Sequence, residues 1–144
     1  MIRIITFFLT LFLAVNPAYC QKVTVREMNI YYDALELEAA LPDNLTDEEY
    51  KARNEEFVRK HGMTLDELDD IMWAAVVDRP DAPLTGRQEK VTEELKSRFS
   101  SYAGNPPRNV LYPACCELAA KYNMRPGEVI DLYYRTAPQP PHDS

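Results

Sequence analysis

Four helix-start signals dominate this chain. Thr24-Val25-Arg26-Glu27, Thr46-Asp47-Glu48-Glu49, Thr64-Leu65-Asp66-Glu67 and Thr85-Gly86-Arg87-Gln88 each place a hydroxyl three residues before a Glu or Gln. In such a box the Thr side chain accepts from an unpaired N–H of the first turn, and the acidic or amide side chain reaches back to the cap backbone. Prolines supply the stops. Pro42 follows the first predicted helix, Pro80 and Pro83 follow the third, and Pro106-Pro107 precede the fifth; Pro is barred from helix interiors because it lacks an N–H and clashes with the preceding turn. No stretch alternates as a strand would.

The predicted helices run from Thr24 to about Leu41, Thr46 to His61, Thr64 to about Asp78, Thr85 to about Tyr102, onward to Tyr122, and Pro126 to about Thr136. The start of the fifth is ambiguous because of Pro113: it begins near Tyr112 or bends there. Gly62 suits the left-handed residue past a helix end, and Pro126 suits a first helical position.

The corner at Lys60–Ile71 recurs at Lys121–Leu132. Moving 61 positions along, Thr24 meets Thr85, Arg26 meets Arg87, Lys60 meets Lys121, Met63 meets Met124, Glu67 meets Glu128 and Asp70 meets Asp131. Asn44/Asn105 and Glu56/Glu117 match as well. The expected architecture is therefore all-α: two similar three-helix units in one compact domain, at 21–79 and 85–136, with a Pro-rich linker at 80–84 and a disordered Pro-rich tail at 137–144.

Met1-Ile2-Arg3, the apolar run Ile4–Val15 and then Asn16-Pro17-Ala18-Tyr19-Cys20-Gln21 have the layout of a secretory signal peptide. The run is about a dozen residues, short of the roughly 20 that a spanning helix needs. The expectation is export to the periplasm or beyond, with a cut after Cys20 or Ala18 and no stable membrane insertion afterwards. A lipidated Cys20 is the alternative, disfavoured by the bulky Tyr19. With 16 Lys and Arg against 23 Asp and Glu, the chain carries a formal charge of −7, which argues against nucleic acid, since that partner requires a basic footprint.

Of the three cysteines, only Cys115 and Cys116 lie beyond the leader. They are neighbours, poorly placed to bond to each other. Cys115 falls on a predicted core face with Leu111, Leu118, Ala119 and Tyr122, and Cys116 points elsewhere. The matching face of the second helix carries Tyr50, Asn54, Phe57, Val58 and His61. His61 and His142 are the only histidines, and no cluster has metal-ligand spacing; no cofactor or metal is expected. The acidic runs 47–49 and 66–70 are accounted for by caps and the helix dipole, so no catalytic residue is assigned.

The first predicted helix is the exception. Ile30, Ala34, Leu37 and Leu41 form one apolar stripe, and Met28, Tyr32, Leu35 and Ala39 form a second, nearly opposite. The fourth predicted helix repeats the first stripe as Val91, Leu95, Arg98 and Tyr102 but answers the second with Glu89, Glu93, Lys96 and Ser100. The extra stripe has two readings: the central helix of the fold, or a surface for a protein partner or a second copy, centred on Met28, Tyr31, Tyr32, Leu35 and Ala39. Trp73 and Tyr134 occupy equivalent places and form a candidate ligand platform. The functional expectation is a non-catalytic binding or self-associating module. The alternatives are a small hydrolase of envelope polysaccharide using acidic residues, and a carrier of small apolar ligands.

Overall fold

The computed structural model describes residues 23–77 and 82–137; the leader, part of the linker, and the tail beyond Ala137 lie outside them. The described residues form six helices and no strand: α1 Val25–Ala40, α2 Asp47–His61, α3 Leu65–Val77, α4 Gly86–Phe99, α5 Arg108–Tyr122 and α6 Pro126–Thr136. All four boxes are present. The Thr24, Thr46, Thr64 and Thr85 hydroxyls accept from the N–H groups of Glu27, Glu49, Glu67 and Gln88 at 3.2, 3.2, 3.2 and 3.3 Å.

One boundary differs from expectation, and another takes one of the two forms that Pro113 leaves open. α4 stops at Phe99, not Tyr102: the Ser100 hydroxyl donates to the Ser97 carbonyl at 3.0 Å, and the Tyr102 N–H turns back to Phe99 at 3.1 Å. Such local side-chain bonds compete with helix continuation. α5 starts at Arg108, with Pro107 as its cap, and contains Pro113. Pro113 removes one N–H from the ladder, leaving the Asn109 carbonyl without its usual donor. Asn109 and Pro113 are both exposed, so water can replace the missing bond.

α1 is the wall shared by two cores. The smaller core joins Ile30 of α1 to Phe57 and Val58 of α2 and Leu68 of α3, with Ala34 and Leu37 packed against it. The larger joins Tyr31, Leu35 and Ala39 to Val91, Leu95, Phe99, Leu111, Cys115, Leu118, Val129, Ile130, Leu132 and Tyr133. The two stripes of α1 thus face two different sets of helices. The expected core face of α5 is buried at Leu111, Cys115, Leu118 and Ala119, with Tyr122 half-buried at its end. That of α2 holds only at Phe57 and Val58; Tyr50 is exposed and Asn54 half-buried, because α2 meets the rest of the molecule through its C-terminal half.

The crossing of α1 and α6 is the tightest joint. A Cβ added to Gly127 would lie 2.7 Å from the carbonyl carbon and Cβ of Tyr32, so only glycine permits this approach. Around it, the Gly127 N–H donates to Glu36 Oε1 at 2.9 Å, and the Tyr31 hydroxyl donates to the buried Asp131 at 2.9 Å. Arg125 pairs with Asp33, donates to Asn29 Oδ1 at 2.9 Å, and lies 5.9 Å from the Tyr32 ring centre. α4 and α5 are tied by a two-pronged Arg98–Glu117 pair at 2.9 and 2.7 Å and by Lys121–Glu94 at 2.6 Å. These pairs are largely exposed and contribute little individually; they set the register of helices that the apolar cores hold together.

Candidate functional site

The residues expected to form a partner surface on α1 are inside the molecule. Tyr31, Leu35 and Ala39 are buried in the larger core, and Met28 and Tyr32 pack against it. α5 and α6 cover this stripe, which is why α1 needs an apolar side that α4 lacks. The sequence pattern was right about apolarity; the occupant is the chain's own second half. That stripe is therefore no free docking surface.

Trp73 and Tyr134, paired in sequence as a platform, are not brought together. Both are exposed, but they stand on different helices and no ring contact joins them. Tyr134 leans on Tyr133, ring centres 5.5 Å apart. Burial pushes its hydroxyl pKa up, helped by the Glu38 carboxylate.

Trp73 belongs to another constellation. On α3 the residues at three- and four-residue spacing around it are Asp69, Asp70, Val76 and Val77, and all are exposed. Trp73 shows 69% of its surface, Val76 67% and Val77 52%. The opposite side of α3 carries the buried Leu68 and Ala75, with Ile71 and Met72 half-buried. α3 is thus apolar on both faces, with only one covered. A surface tryptophan beside two valines is an apolar patch that a folded chain leaves open at a cost. The sequence signal was there, in the run Ile71-Met72-Trp73-Ala74-Ala75-Val76-Val77, too apolar for a helix with one buried side.

Comparison with protein-family models, curated proteins and solved structures gives no match.

The carboxylates that carry hydrogen bonds serve the fold. Glu27 Oε2, Glu49 Oε2 and Glu67 Oε2 accept from the cap N–H groups of Thr24, Thr46 and Thr64 at 2.6, 2.9 and 2.7 Å. Those bonds hold the Glu27 and Glu49 carboxyls below the usual range, and Glu94 and Glu117 are lowered chiefly by hydrogen bonds to Lys121 and Arg98. A general acid requires the opposite shift. Among the described residues no group of three or more His, Cys, Asp or Glu side chains is placed to hold a metal. Within those residues, too, no helix is long and apolar enough to cross a membrane. Cys115 is fully buried, and burial pushes its thiol up to about 12, the behaviour of a small core hydrophobe. Cys116 is half-buried, and both thiols are free.

Two clefts lie at the two corners, lined by equivalent residues. One, about 340 Å³, is bordered by Arg26, Glu27, Gly62, Met63 and Glu67; the other, about 410 Å³, by Arg87, Gln88, Asn123, Met124 and Glu128. In each, the arginine reaches a corner carbonyl at 3.4 Å: Arg26 that of His61, and Arg87 that of Asn123. Most of the polar groups in these clefts already serve the caps. A third pocket, between the ends of α4 and α6, is walled by the aromatic rings of Phe99, Tyr102 and Tyr133.

Proposed function

We propose that this chain is an exported, non-catalytic helical binding module that docks a basic, amphipathic segment of a protein partner on the outer face of α3. The observation that supports it is the open Trp73, Val76 and Val77 patch with Asp69 and Asp70 one turn away. Tryptophan is the residue type most often found at the energetic centre of interfaces. The two aspartates, in a chain of charge −7, favour a partner with Lys or Arg flanking its apolar stripe. Export is the reading supported by the Met1–Gln21 leader pattern. The hydrolase alternative draws no support from the carboxylates, whose hydrogen bonds go to caps and cross-helix ties.

Trp73 is the only tryptophan in the chain, so its fluorescence reports this face directly. Titration with a helical Leu/Lys peptide is expected to shift the emission to the blue, with the effect reduced by Asp69→Asn/Asp70→Asn and by salt. Val76→Glu is expected to abolish the shift while leaving the far-UV CD spectrum unchanged. Emission that stays put at saturating peptide refutes the proposal. A blue shift that instead grows with protein concentration alone assigns the face to a second copy of the chain.

A further inference from the structure

The pocket between the end of α4, the α4–α5 connection and the end of α6 has a volume of about 240 Å³. Leu95, Phe99 and Tyr133 form its buried floor, and Tyr102, Ala103 and Lys96 its exposed rim. Phe99 organises the aromatic wall: its ring centre lies 6.0 Å from that of Tyr102 and 5.7 Å from that of Tyr133, at 69° and 78°. Edge-to-face is a geometry that aromatic rings favour, and a further ring can extend such a cluster. The size is informative. An apolar cavity of about 150 Å³ takes benzene, so this pocket accommodates one ring with a short chain attached.

Three of the four hydroxyls around it, all but that of Tyr102, are spent within the chain. The Tyr133 hydroxyl donates to Asn105 Oδ1 at 3.0 Å, the Thr136 hydroxyl to the Leu132 carbonyl at 2.6 Å, and the Ser100 hydroxyl to Ser97. The Lys96 ammonium makes no hydrogen bond or ion pair with any described residue, although its neighbours Arg98 and Lys121 are both paired. An aromatic wall with a single unspent cation at its rim selects an apolar ring carrying one negative charge.

We infer that this pocket binds a small aromatic carboxylic acid, its ring against Phe99, Tyr102 and Tyr133 and its carboxylate on Lys96. The site is independent of the α3 face, since none of Trp73, Val76 or Val77 lines it. Its contents also differ from the ligand platform expected at Trp73 and Tyr134.

The test is an NMR titration of the full chain with 3-phenylpropionate, following the ring protons of Phe99, Tyr102 and Tyr133. Saturable shifts confined to these rings are expected. Lys96→Met keeps the stem and removes the charge; it is expected to weaken 3-phenylpropionate about fivefold, the upper range for an exposed ion pair, and to leave neutral 3-phenylpropanol unaffected. Ala103→Trp closes the mouth from an exposed loop position, outside both cores, and is expected to abolish both. Absence of saturable shifts at these rings overturns the site. Equal binding of the acid by the parent chain and by Lys96→Met overturns the assignment of a carboxylate.

Discussion

The two corners, His61–Leu65 and Tyr122–Pro126, solve one backbone problem and then diverge in what surrounds them. Each turns on a left-handed residue, Gly62 at φ 65° and Asn123 at φ 51°. Past each, a methionine N–H returns to the helix just ended: Met63 to Val58 at 3.0 Å and Met124 to Ala119 at 2.9 Å. Each next helix opens with a glutamate accepting from the cap N–H, Glu67 from Thr64 at 2.7 Å and Glu128 from Arg125 at 2.8 Å. The first corner meets α1 through polar side chains, Arg26 on the His61 carbonyl and Asp33 3.8 Å from His61 Nε2, whereas the second is pressed against the α1 backbone. Where the first has exposed Asp66 and Asp70, the second has buried Gly127 and Asp131. Local sequence sets the turn, and tertiary contact sets which residues the turn can tolerate.

The sharpest way to break this comparison is Gly127→Ala against Asp66→Ala. The added methyl meets the Tyr32 backbone, which cannot rotate away as a side chain could. α1 and α6 must separate, and overpacking of this kind costs about 1–3 kcal/mol. Asp66 is exposed, and its loss forfeits a dipole interaction of roughly 0.3–1 kcal/mol at most. Urea denaturation of the two variants should separate them clearly. Equal midpoints would mean that the α1–α6 crossing is looser than the close approach implies.

Of comparable size is Tyr31→Phe against Asp70→Asn. Asp131 is 3% exposed and accepts from the Tyr31 hydroxyl, while Arg135 approaches its other oxygen at 3.6 Å. Removing one donor from a buried carboxylate costs about 1.5–3 kcal/mol. Asp70, the sequence counterpart of Asp131, is exposed, and its substitution is expected to lie within about 0.5 kcal/mol of the parent, as surface changes usually do. Thermal melts distinguish the two. A neutral Tyr31→Phe would show that the remaining neighbours of Asp131 suffice.

The turn itself provides a smaller and more symmetric test. Ala at either left-handed position costs about 1–2 kcal/mol, so Gly62→Ala and Asn123→Ala are expected to fall together. Asn123→Gly should be close to neutral, because Asn already tolerates this conformation. If Asn123→Ala costs much more than Gly62→Ala, the Asn side chain has a role beyond its backbone angle.

How far the sequence was legible follows the same division. Helix starts were written locally, in Thr-x-x-Glu and Thr-x-x-Gln boxes, and were read correctly because their partners lie three residues away. The end of α4 falls short of the expected Tyr102, and of the two starts that Pro113 leaves open for α5 the helix takes the one that runs through it: proline and serine propensities are weak against the register imposed by Phe99, Leu111 and Cys115 entering the core. The second stripe of α1 was visible as a stripe, but whether a partner or the chain's own α5 and α6 would cover it depends on contacts such as Tyr31–Asp131, 100 residues apart. The α3 face is masked by the 61-residue offset, which matches Trp73 to Tyr134, whereas its exposed neighbours are Val76 and Val77 on the same helix. The α4–α6 pocket had half a linear signature, Phe99 and Tyr102 three residues apart, but its wall closes only when Tyr133 arrives from α6.

The smallest expected effect concerns pH and sets the boxes apart. Glu27 and Glu49 cap α1 and α2 as carboxylates, and the cap hydrogen bonds hold both pKa values below the ordinary glutamate value of about 4.3. A carboxyl lowered by folding contributes stability that is complete above its unfolded pKa and is lost as pH falls through the lower folded one. α4 carries out the same task with Gln88, whose Oε1 accepts from Thr85 N–H at 2.9 Å and has no proton to gain. Lowering the pH from 7 to 3 should therefore move the amide proton shifts of Thr24 and Thr46 upfield as their acceptors protonate, leaving that of Thr85 in place. Gln88→Glu should make Thr85 behave like the other two. If Thr85 already titrates in the parent chain, the shifts report a general loosening of the helices, and the boxes are not the acid-sensitive element.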